Sequence, residues 1–302
     1  MKTRKRVLSI FLTLALTVGL LAIAPVTAHA APASIDVSTL IDGGGDIYSP
    51  LGDDTWSYND TTKLLMLTLA GGSYTLTGTN TNLGVQAAAI ENVTLNGVDI
   101  DGPNSSTALD LIRSTTVTLI GGNILSATAS SNPPLQLGSD ESFTINGSGS
   151  LTASGSGMSR GIQLSPSSNL CITGTASVTA VGGTSFGLGV GSGSSVSIGD
   201  TAKLTITNNN SSLVETHTFG KAGTATTHKW KLTGADLASG YELTDDEIEV
   251  TVAPGATATI EREPIVAPTP DKGIFCTNAR WYGEWWHYVL FFLVFGFLWM
   301  WF

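Results

Sequence analysis

Apolar and small polar residues alternate through the middle of the chain in a pattern that repeats. Each copy reads apolar, small polar, apolar, then a turn that contains glycine, then a second apolar pair; Val93-Thr-Leu-Asn-Gly is one example. An alternation with a period of two is typical of a strand that buries one of its faces. Copies begin at Leu67, Val93, Val117, Phe143, Leu170 and Val196, which gives steps of 26, 24, 26, 27 and 26 residues.

A further short alternating strand comes shortly before most copies. These strands are Leu109–Leu111, Leu135–Leu137, Ile162–Leu164 and Leu188–Val190. Three short strands in each period predict a parallel β-solenoid, because one coil cannot bury its apolar face without neighbours. The chain is therefore predicted to be an all-β protein built on a right-handed parallel β-helix of about six rungs, residues 64–208.

The interior of this solenoid is predicted to be one continuous column of apolar side chains. The column consists of Leu95, Leu119, Ile145, Ile172 and Ile198. Cys171 takes a strand position that threonine or serine holds in the other rungs, and alternation turns that position outward. Because Cys276 lies far from Cys171 in the chain, a disulfide is not expected, and stability has to come from the stacked core.

Solenoids need caps, because their end coils expose unpaired strand edges. Residues 31–63 are predicted to form an N-terminal β cap, in which Trp56 or Tyr58 covers the first rung. Residues 209–263 are predicted to form a small antiparallel β unit, which is either a C-terminal cap or an independent binding module. Its predicted strands are 230–232, 241–243, 248–252 and 258–260, with a turn between the last two.

The first 30 residues have the pattern of a secretory signal peptide. Lysine and arginine residues at positions 2–6 precede an apolar run over residues 7–24, and Ala28-His-Ala30 has the small residues of a cleavage site. An uncleaved anchor helix is the alternative. The pattern predicts that the mature chain is exported from the cytoplasm.

The C-terminal residues 281–302 combine aromatic side chains with an apolar run that carries no charge after residue 288. A helix from Trp285 to the end would be about 27 Å long at ~1.5 Å per residue, close to the ~30 Å core of a bilayer. We predict a C-terminal transmembrane helix here, joined to the β structure by a linker at 264–280. A partner-binding tail and a removable sorting peptide are the alternatives.

Charge restricts the possible partners. Only 13% of the residues are charged, and the formal net charge is -10. Since no basic stripe is available to neutralise phosphates, the chain is not predicted to bind nucleic acid. Divalent cations and neutral glycans are compatible with this balance.

The outward side chains on the second strand of each rung are mainly hydroxyls and carboxylates. Alternation gives the pairs Thr75/Thr77, Asp99/Asp101, Ser126/Thr128, Thr152/Ser154, Thr179/Val181 and Thr205/Thr207. Such an array suits a repetitive ligand, either a polysaccharide or ice, although threonine is also favoured on exposed strands for its own sake. Asp99 and Asp101 are close enough to share a calcium ion, which prefers several oxygen ligands.

The third strands carry the candidate carbohydrate-binding residues. Asp110, Gln136 and Gln163 are predicted to face outward in one column, and Arg113 and Arg160 lie in adjoining turns. Carboxylate, amide and guanidinium groups together can hydrogen-bond sugar hydroxyls or carboxylates. A merely solvated polar face is the alternative for any one of these residues.

The rungs contain no catalytic motif. Their basic residues are Arg113, Arg160 and Lys203, and no histidine occurs between His29 and His217. Glycoside hydrolysis needs two carboxylates that face each other across a cleft, and no spacing in the sequence pairs the acidic residues in this way. The chain is therefore not predicted to be an enzyme, and a polysaccharide lyase is the residual alternative.

These motifs resemble a family of exported bacterial β-helix proteins described as carbohydrate-binding domain-containing. The resemblance rests on Val93-Thr-Leu-x-Gly, Phe143-Thr-Ile-x-Gly and the earlier Trp56-Ser-Tyr58, and it covers residues 55–208. It implies a pectate-lyase-like architecture and calcium-supported binding of plant cell-wall polysaccharide, such as cellulose or pectic acid. We therefore expect a membrane-tethered protein of the bacterial surface that binds polysaccharide; a structural or adhesin solenoid that binds a protein is the main alternative.

Overall fold

The computed structural model describes residues 33–40, 43–48, 55–68, 71–88, 92–128, 131–199, 201–222 and 228–265. Within these ranges the protein is all-β, apart from one 3-10 helix at Val37–Thr39. In chain order the strands are β1 (Ala33–Asp36), β2 (Ile47–Tyr48), β3 (Trp56–Asn59), β4 (Leu64–Leu67), β5 (Ser73–Asn80), β6 (Gly84–Ala87), β7 (Asn92–Gly102), β8 (Leu109–Leu111), β9 (Thr116–Ile120), β10 (Gly122–Ala127), β11 (Leu135–Leu137), β12 (Ser142–Gly147), β13 (Ser150–Ser154), β14 (Ile162–Leu164), β15 (Asn169–Ile172), β16 (Ser177–Val181), β17 (Leu188–Val190), β18 (Ser195–Ile198), β19 (Lys203–Thr207), β20 (Glu215–Lys221), β21 (His228–Thr233), β22 (Asp236–Leu237), β23 (Glu247–Val252) and β24 (Thr257–Pro264).

The strands wind into a parallel β-solenoid of about five turns, which confirms the predicted solenoid with fewer rungs than the expected six. A 16-stranded sheet supplies two faces: β9, β12, β15 and β18 stack on the first face, and β10, β13, β16 and β19 stack on the second. The long strands β5 and β7 contribute to both. An eight-stranded sheet forms the third face, where β4, β6, β8, β11, β14 and β17 follow one another.

The prediction that Leu67 opens the first copy of the repeat is wrong. Leu67 lies in β4 and pairs with Ala87 on the third face, whereas Tyr74 takes the first-face position opposite Val93. Leu67-Thr-Leu and Tyr74-Thr-Leu both read apolar, polar, apolar, so the pattern alone does not distinguish their faces. As a consequence Thr75 lies opposite Thr94 on the first face and not among the second-face pairs.

The predicted core column is also interrupted by a shift in register. Leu95 pairs with Leu119, but Leu119 lies opposite Gly147, because Val117 takes the place opposite Ile145. Gly147 permits this approach: its φ is +104°, and a Cβ there would lie 2.3 Å from the carbonyl oxygen of Leu119. The stack then continues through Ile145, Ile172 and Ile198. All these apolar residues are buried in one hydrophobic cluster, so the core is continuous although its register is not.

The outward residues of the second face also differ from the prediction in their alignment. Ile124 faces outward from β10 together with the predicted Ser126, and Ile124, not Ser126, lies opposite Asp99. The predicted Thr128 is exposed just after the strand. Ile124 lies between Asp99 and Thr152, and it is 43% exposed. The second face is therefore not a continuous hydroxyl array at this rung.

Asn123 is a polar residue in the interior of the solenoid, where it is 1% exposed. Its side-chain oxygen accepts a hydrogen bond from the Val98 N–H at 3.0 Å. Its amide nitrogen donates to the carbonyls of Ile120 at 3.2 Å and Ser150 at 3.0 Å. Because Val98, Asn123 and Ser150 belong to consecutive rungs, this one side chain joins three coils.

Further strands, some parallel and some antiparallel to the coils, cover both ends of the described solenoid. At the N-terminal end β3 pairs with β4, and Tyr58 is buried, as expected for a cap. At the C-terminal end β20 extends the first face beyond β18, and β24 extends the second face beyond β19. Phe219, Trp230 and Ile260 join the hydrophobic cluster of the solenoid, so this unit packs directly on the end of the solenoid core.

Two predictions about the C-terminal unit need correction. Residues 241–243 are not a strand. The turn after Val252 does join β23 to β24, but the two strands do not pair with each other, because they lie on different faces of the solenoid.

Several sequence-based predictions fall outside the described residues. These are the signal peptide at 1–30, nearly all of the linker, the C-terminal anchor and Cys276. Within the part of the chain that the structure describes, no helix has the length and apolar character to cross a membrane. Cys171 is partly exposed between Thr144 and Ser197 on the first face, as predicted.

Candidate functional site

A row of polar side chains runs along the outside of the third face. Gln86, Asp110, Gln136 and Gln163 occupy matching positions on β6, β8, β11 and β14. We call these four residues the polar column. Neighbouring strands lie about 4.8 Å apart, so the column presents carboxamide and carboxylate groups at a regular spacing. The alignment of Asp110, Gln136 and Gln163 confirms the prediction from strand alternation.

The hydrogen bonds within the polar column leave part of its capacity unused. Gln86 Nε2 donates to Asp110 Oδ2 at 3.2 Å, and Gln163 Nε2 donates to its neighbouring carbonyl, that of Leu164, at 2.6 Å. Gln136 makes no side-chain hydrogen bond to any described residue. A carboxamide supplies both donors and an acceptor, so Gln136 can bind a ligand hydroxyl in either sense.

Asp110 is half-buried within this row. Burial raises the pKa of its carboxyl above the ordinary value of 3.8, and the hydrogen bond from Gln86 offsets part of this rise. No cation among the described residues pairs with Asp110. A charged carboxylate that is partly removed from water is costly unless hydrogen-bond donors compensate it, so a donor from a ligand would stabilise this position.

Arg113 lies apart from the polar column, in a turn where it forms an ion pair. Its guanidinium pairs with Glu141 Oε1 at 2.9 Å, and its side chain is 66% exposed. Glu141 also accepts a hydrogen bond from the Ser114 N–H at 3.0 Å and one from the Ser114 hydroxyl. The Ser114 hydroxyl and then Arg113 lower the pKa of Glu141. Arg113 thus ties the turns of two rungs together.

Arg160, in contrast, lies at the end of the polar column. Its Nη1 donates to Gln163 Oε1, and its aliphatic part crosses Gly189, the residue that continues the column on β17. A Cβ at Gly189 would lie 2.3 Å from Arg160 Cδ and 2.4 Å from Gln163 Oε1. The absence of a side chain at Gly189 is therefore what makes room for Arg160.

Beyond Gly189 the third face ends in a cleft of about 550 Å³, which we call the end cleft. One wall consists of Arg160, Phe186 and β17; the other includes Thr216, His217, Thr218 and Glu249. The cleft exists because two strands do not meet. β17 pairs only with β14 among the described strands, and β20 joins β18 only from Phe219 onward.

A buried carboxylate replaces the missing strand pairing at the floor of the end cleft. The side chain of Glu215 is 1% exposed, and it accepts hydrogen bonds from the N–H groups of Gly187 at 3.1 Å and Leu188 at 2.8 Å. His217 Nε2 lies 2.8 Å from Glu215 Oε1. A buried carboxylate needs such partners, and here two edge N–H groups and an imidazole supply them.

The predicted calcium ligands lie on another face. Asp99 and Asp101 face outward from β7, opposite Ile124 and Ser126 of the next rung. The described residues contain no group of three or more histidine, cysteine, aspartate or glutamate side chains placed to hold a metal. Calcium binding stays a prediction that rests on these two carboxylates.

Four residues of these surfaces are missed by the sequence argument. Gln86 precedes the third strands that were recognised from the pattern, because the first rung is irregular. Glu215, His217 and Glu249 belong to β20 and β23, which lie outside the repeat and carry no motif. The pairing of Thr218 with Glu249, and hence the position of Glu249 at the cleft, is a property of strand register.

No protein-family model, curated protein or solved structure matches this chain.

Proposed function

We propose that this protein is a non-catalytic polysaccharide-binding protein of the bacterial cell surface, and that the polar column is its binding surface. The observation that supports the proposal is the in-register row of Gln86, Asp110, Gln136 and Gln163 on one face. Export rests on the signal-peptide pattern of residues 1–30, and retention at the membrane rests on residues 281–302.

A linear polymer suits a row of equivalent polar groups. Each hydrogen bond to a sugar hydroxyl contributes little in water, about 0.5–1.5 kcal/mol. Several such bonds to linked sugars add up, because the first contact holds the next sugar unit close to its site. A ligand would stabilise two positions of the polar column most. Among the described residues, the Gln136 side chain has no hydrogen-bond partner and the Asp110 carboxylate has no cation beside it.

Retention of the purified full-length protein on insoluble glycans tests this proposal. Cellulose and pectic acid gels are suitable matrices, each used with and without a calcium chelator. Gln136→Ala should weaken retention by roughly threefold to tenfold, which corresponds to one hydrogen bond of about 0.5–1.5 kcal/mol. Asn96→Ala is the matched control, because it removes an exposed amide from a different face and should leave retention unchanged.

The possible outcomes separate the proposal from its alternatives. Absence of retention on every glycan tested, with the protein folded, would refute polysaccharide binding. Equal retention of Gln136→Ala and the wild type would show that the polar column is not the binding surface. Release of ultraviolet-absorbing unsaturated sugars would indicate a lyase. Loss of retention only in the presence of chelator would indicate that glycan binding requires calcium.

A further inference from the structure

We propose that the end cleft is a second binding site, which accepts a short extended peptide with free termini. The proposal does not depend on glycan binding by the polar column. It rests on three features of the cleft: two strand edges that line it, two charged side chains that have no ion-pair partner among the described residues, and a volume in the range of ligand pockets, which is about 300–1,000 Å³.

The strand edges supply main-chain complementarity. In a strand, the N–H and C=O of one residue point toward the neighbouring strand on one side, and those of the next residue point toward the other side. Gly191 N–H donates to Leu164 on β14, whereas Leu188 N–H points the other way, to Glu215. The backbone of Val190 is therefore directed into the end cleft. Facing it is the first half of β20, whose only strand partner in the described structure is β23.

An added strand is the ligand that such edges bind most directly. β17 has three residues, which at ~3.3 Å per residue make an edge of about 10 Å. This length matches a peptide of three residues or so. A longer strand would meet Glu215, whose carboxylate already occupies the N–H groups of Gly187 and Leu188.

The charges at the cleft supply selectivity for peptide termini. Arg160 donates to Gln163 and has no acidic partner within 4.0 Å in the described structure. Its remaining N–H groups form the planar fork that pairs with a carboxylate. Glu249 is half-buried on the opposite wall, and its carboxylate has no hydrogen-bond or ion-pair partner among the described residues. One ligand that carries both an ammonium and a carboxylate satisfies both groups.

Neutral sugars fit these observations less well. A neutral sugar would leave the guanidinium of Arg160 and the carboxylate of Glu249 partly desolvated without a counter-charge, which is unfavourable. It would also leave the backbone groups of β17 without a complementary main chain. The hydroxyls of Ser194 and Thr216 can bind either class of ligand, so they do not decide between the two.

Titration calorimetry with trialanine on the full-length protein tests the proposal. Trialanine should bind, and N-acetylation or C-terminal amidation of the peptide should each weaken binding by roughly tenfold to a hundredfold, as expected for loss of a charged hydrogen bond. Glu249→Gln should weaken binding of trialanine but leave the affinity for N-acetyl-trialanine unchanged. Arg160→Lys should weaken binding of trialanine, because a point charge does not replace the guanidinium fork. It should leave the affinity for trialanine amide unchanged.

The paired design keeps the result interpretable. Each variant is tested with trialanine and with the modified peptide that lacks the corresponding charge. A general loss of fold would weaken the binding of both peptides equally, and this pattern distinguishes it from loss of one charged contact. Absence of trialanine binding at millimolar concentration to the folded wild type would overturn the proposal. Affinities that do not respond to modification of either terminus, or displacement of trialanine by cellotriose, would overturn it as well.

Discussion

Asn123 offers the sharpest prediction about how the coils are held together. It lies in the interior, and its side chain bonds to the backbone of the rung before it and of the rung after it. We expect Asn123→Ala to destabilise the protein strongly, because the substitution leaves the buried N–H of Val98 and the carbonyl of Ser150 without this partner.

The size of the effect follows from these contacts. An unpaired buried donor costs about 1–3 kcal/mol, and the lost hydrogen bond to Ser150 adds ~1 kcal/mol. The free energy of unfolding should therefore fall by roughly 2–4 kcal/mol, a large part of the ~5–15 kcal/mol that stabilises a typical protein. Asn123→Leu should lose nearly as much, because it fills the space but leaves the Val98 N–H unpaired.

Equilibrium unfolding in urea, followed by both circular dichroism and tryptophan fluorescence, measures this change. Coincident transitions in the two signals show that a single free energy is meaningful. Asn96→Ala is the control, since Asn96 is an exposed amide on β7, and it should change stability by no more than ~0.5 kcal/mol. A loss of less than about 1 kcal/mol in Asn123→Ala, or full stability in Asn123→Leu, would show that Asn123 does not hold the coils together in this way.

Three further predictions concern charge and space on the third face. Burial raises the pKa of Asp110, so the stability that Asp110 contributes is present at low pH and is lost as the pH rises from 3.8 through the raised value. Asp110→Asn should remove this pH-dependent loss, and the melting temperature of the variant should therefore exceed that of the wild type by a growing margin as the pH rises. The pKa of Glu141 is lowered, so its contribution is present above 4.5 and lost as the pH falls through the folded value; Glu141→Gln should flatten the acid side of the melting profile, and an unchanged profile would contradict the role given to Ser114 and Arg113. Gly189→Ala should displace Arg160 and break its hydrogen bond to Gln163, and the free energy of unfolding should change by less than about 1 kcal/mol because the side chains of Arg160 and Gln163 can both move. The affinity for trialanine should fall in calorimetry, and an unchanged affinity would show that Arg160 does not act from this position.

Strand alternation predicts much of this fold, for a clear physical reason. A period of two reveals which residues of a strand point inward, so Leu135–Leu137 and Ile162–Leu164 are recognised together with their outward glutamines. Alternation does not reveal which face a strand joins. Leu67 and Tyr74 head similar patterns, yet they lie on different faces.

Register between rungs is less predictable, because it depends on the geometry of the connecting turns. The shift that places Leu119 opposite Gly147 follows from a glycine that allows close backbone contact, and a count of residues does not contain this information. The candidate sites divide in the same way. The polar column follows from the repeat. The end cleft follows from the position at which β20 begins to pair with β18, which the repeat does not predict.

The position of Glu215 also affects how the molecule behaves when many copies are present. A solenoid that ends in open strands can act as a template for further chains, and assembly from end to end then leads to fibres. At the third face, a strand from another copy would have to displace the buried carboxylate of Glu215 from two N–H groups and leave it with His217 alone, which is unfavourable. A glutamate at this edge therefore disfavours growth of the third-face sheet by addition of a strand from another copy.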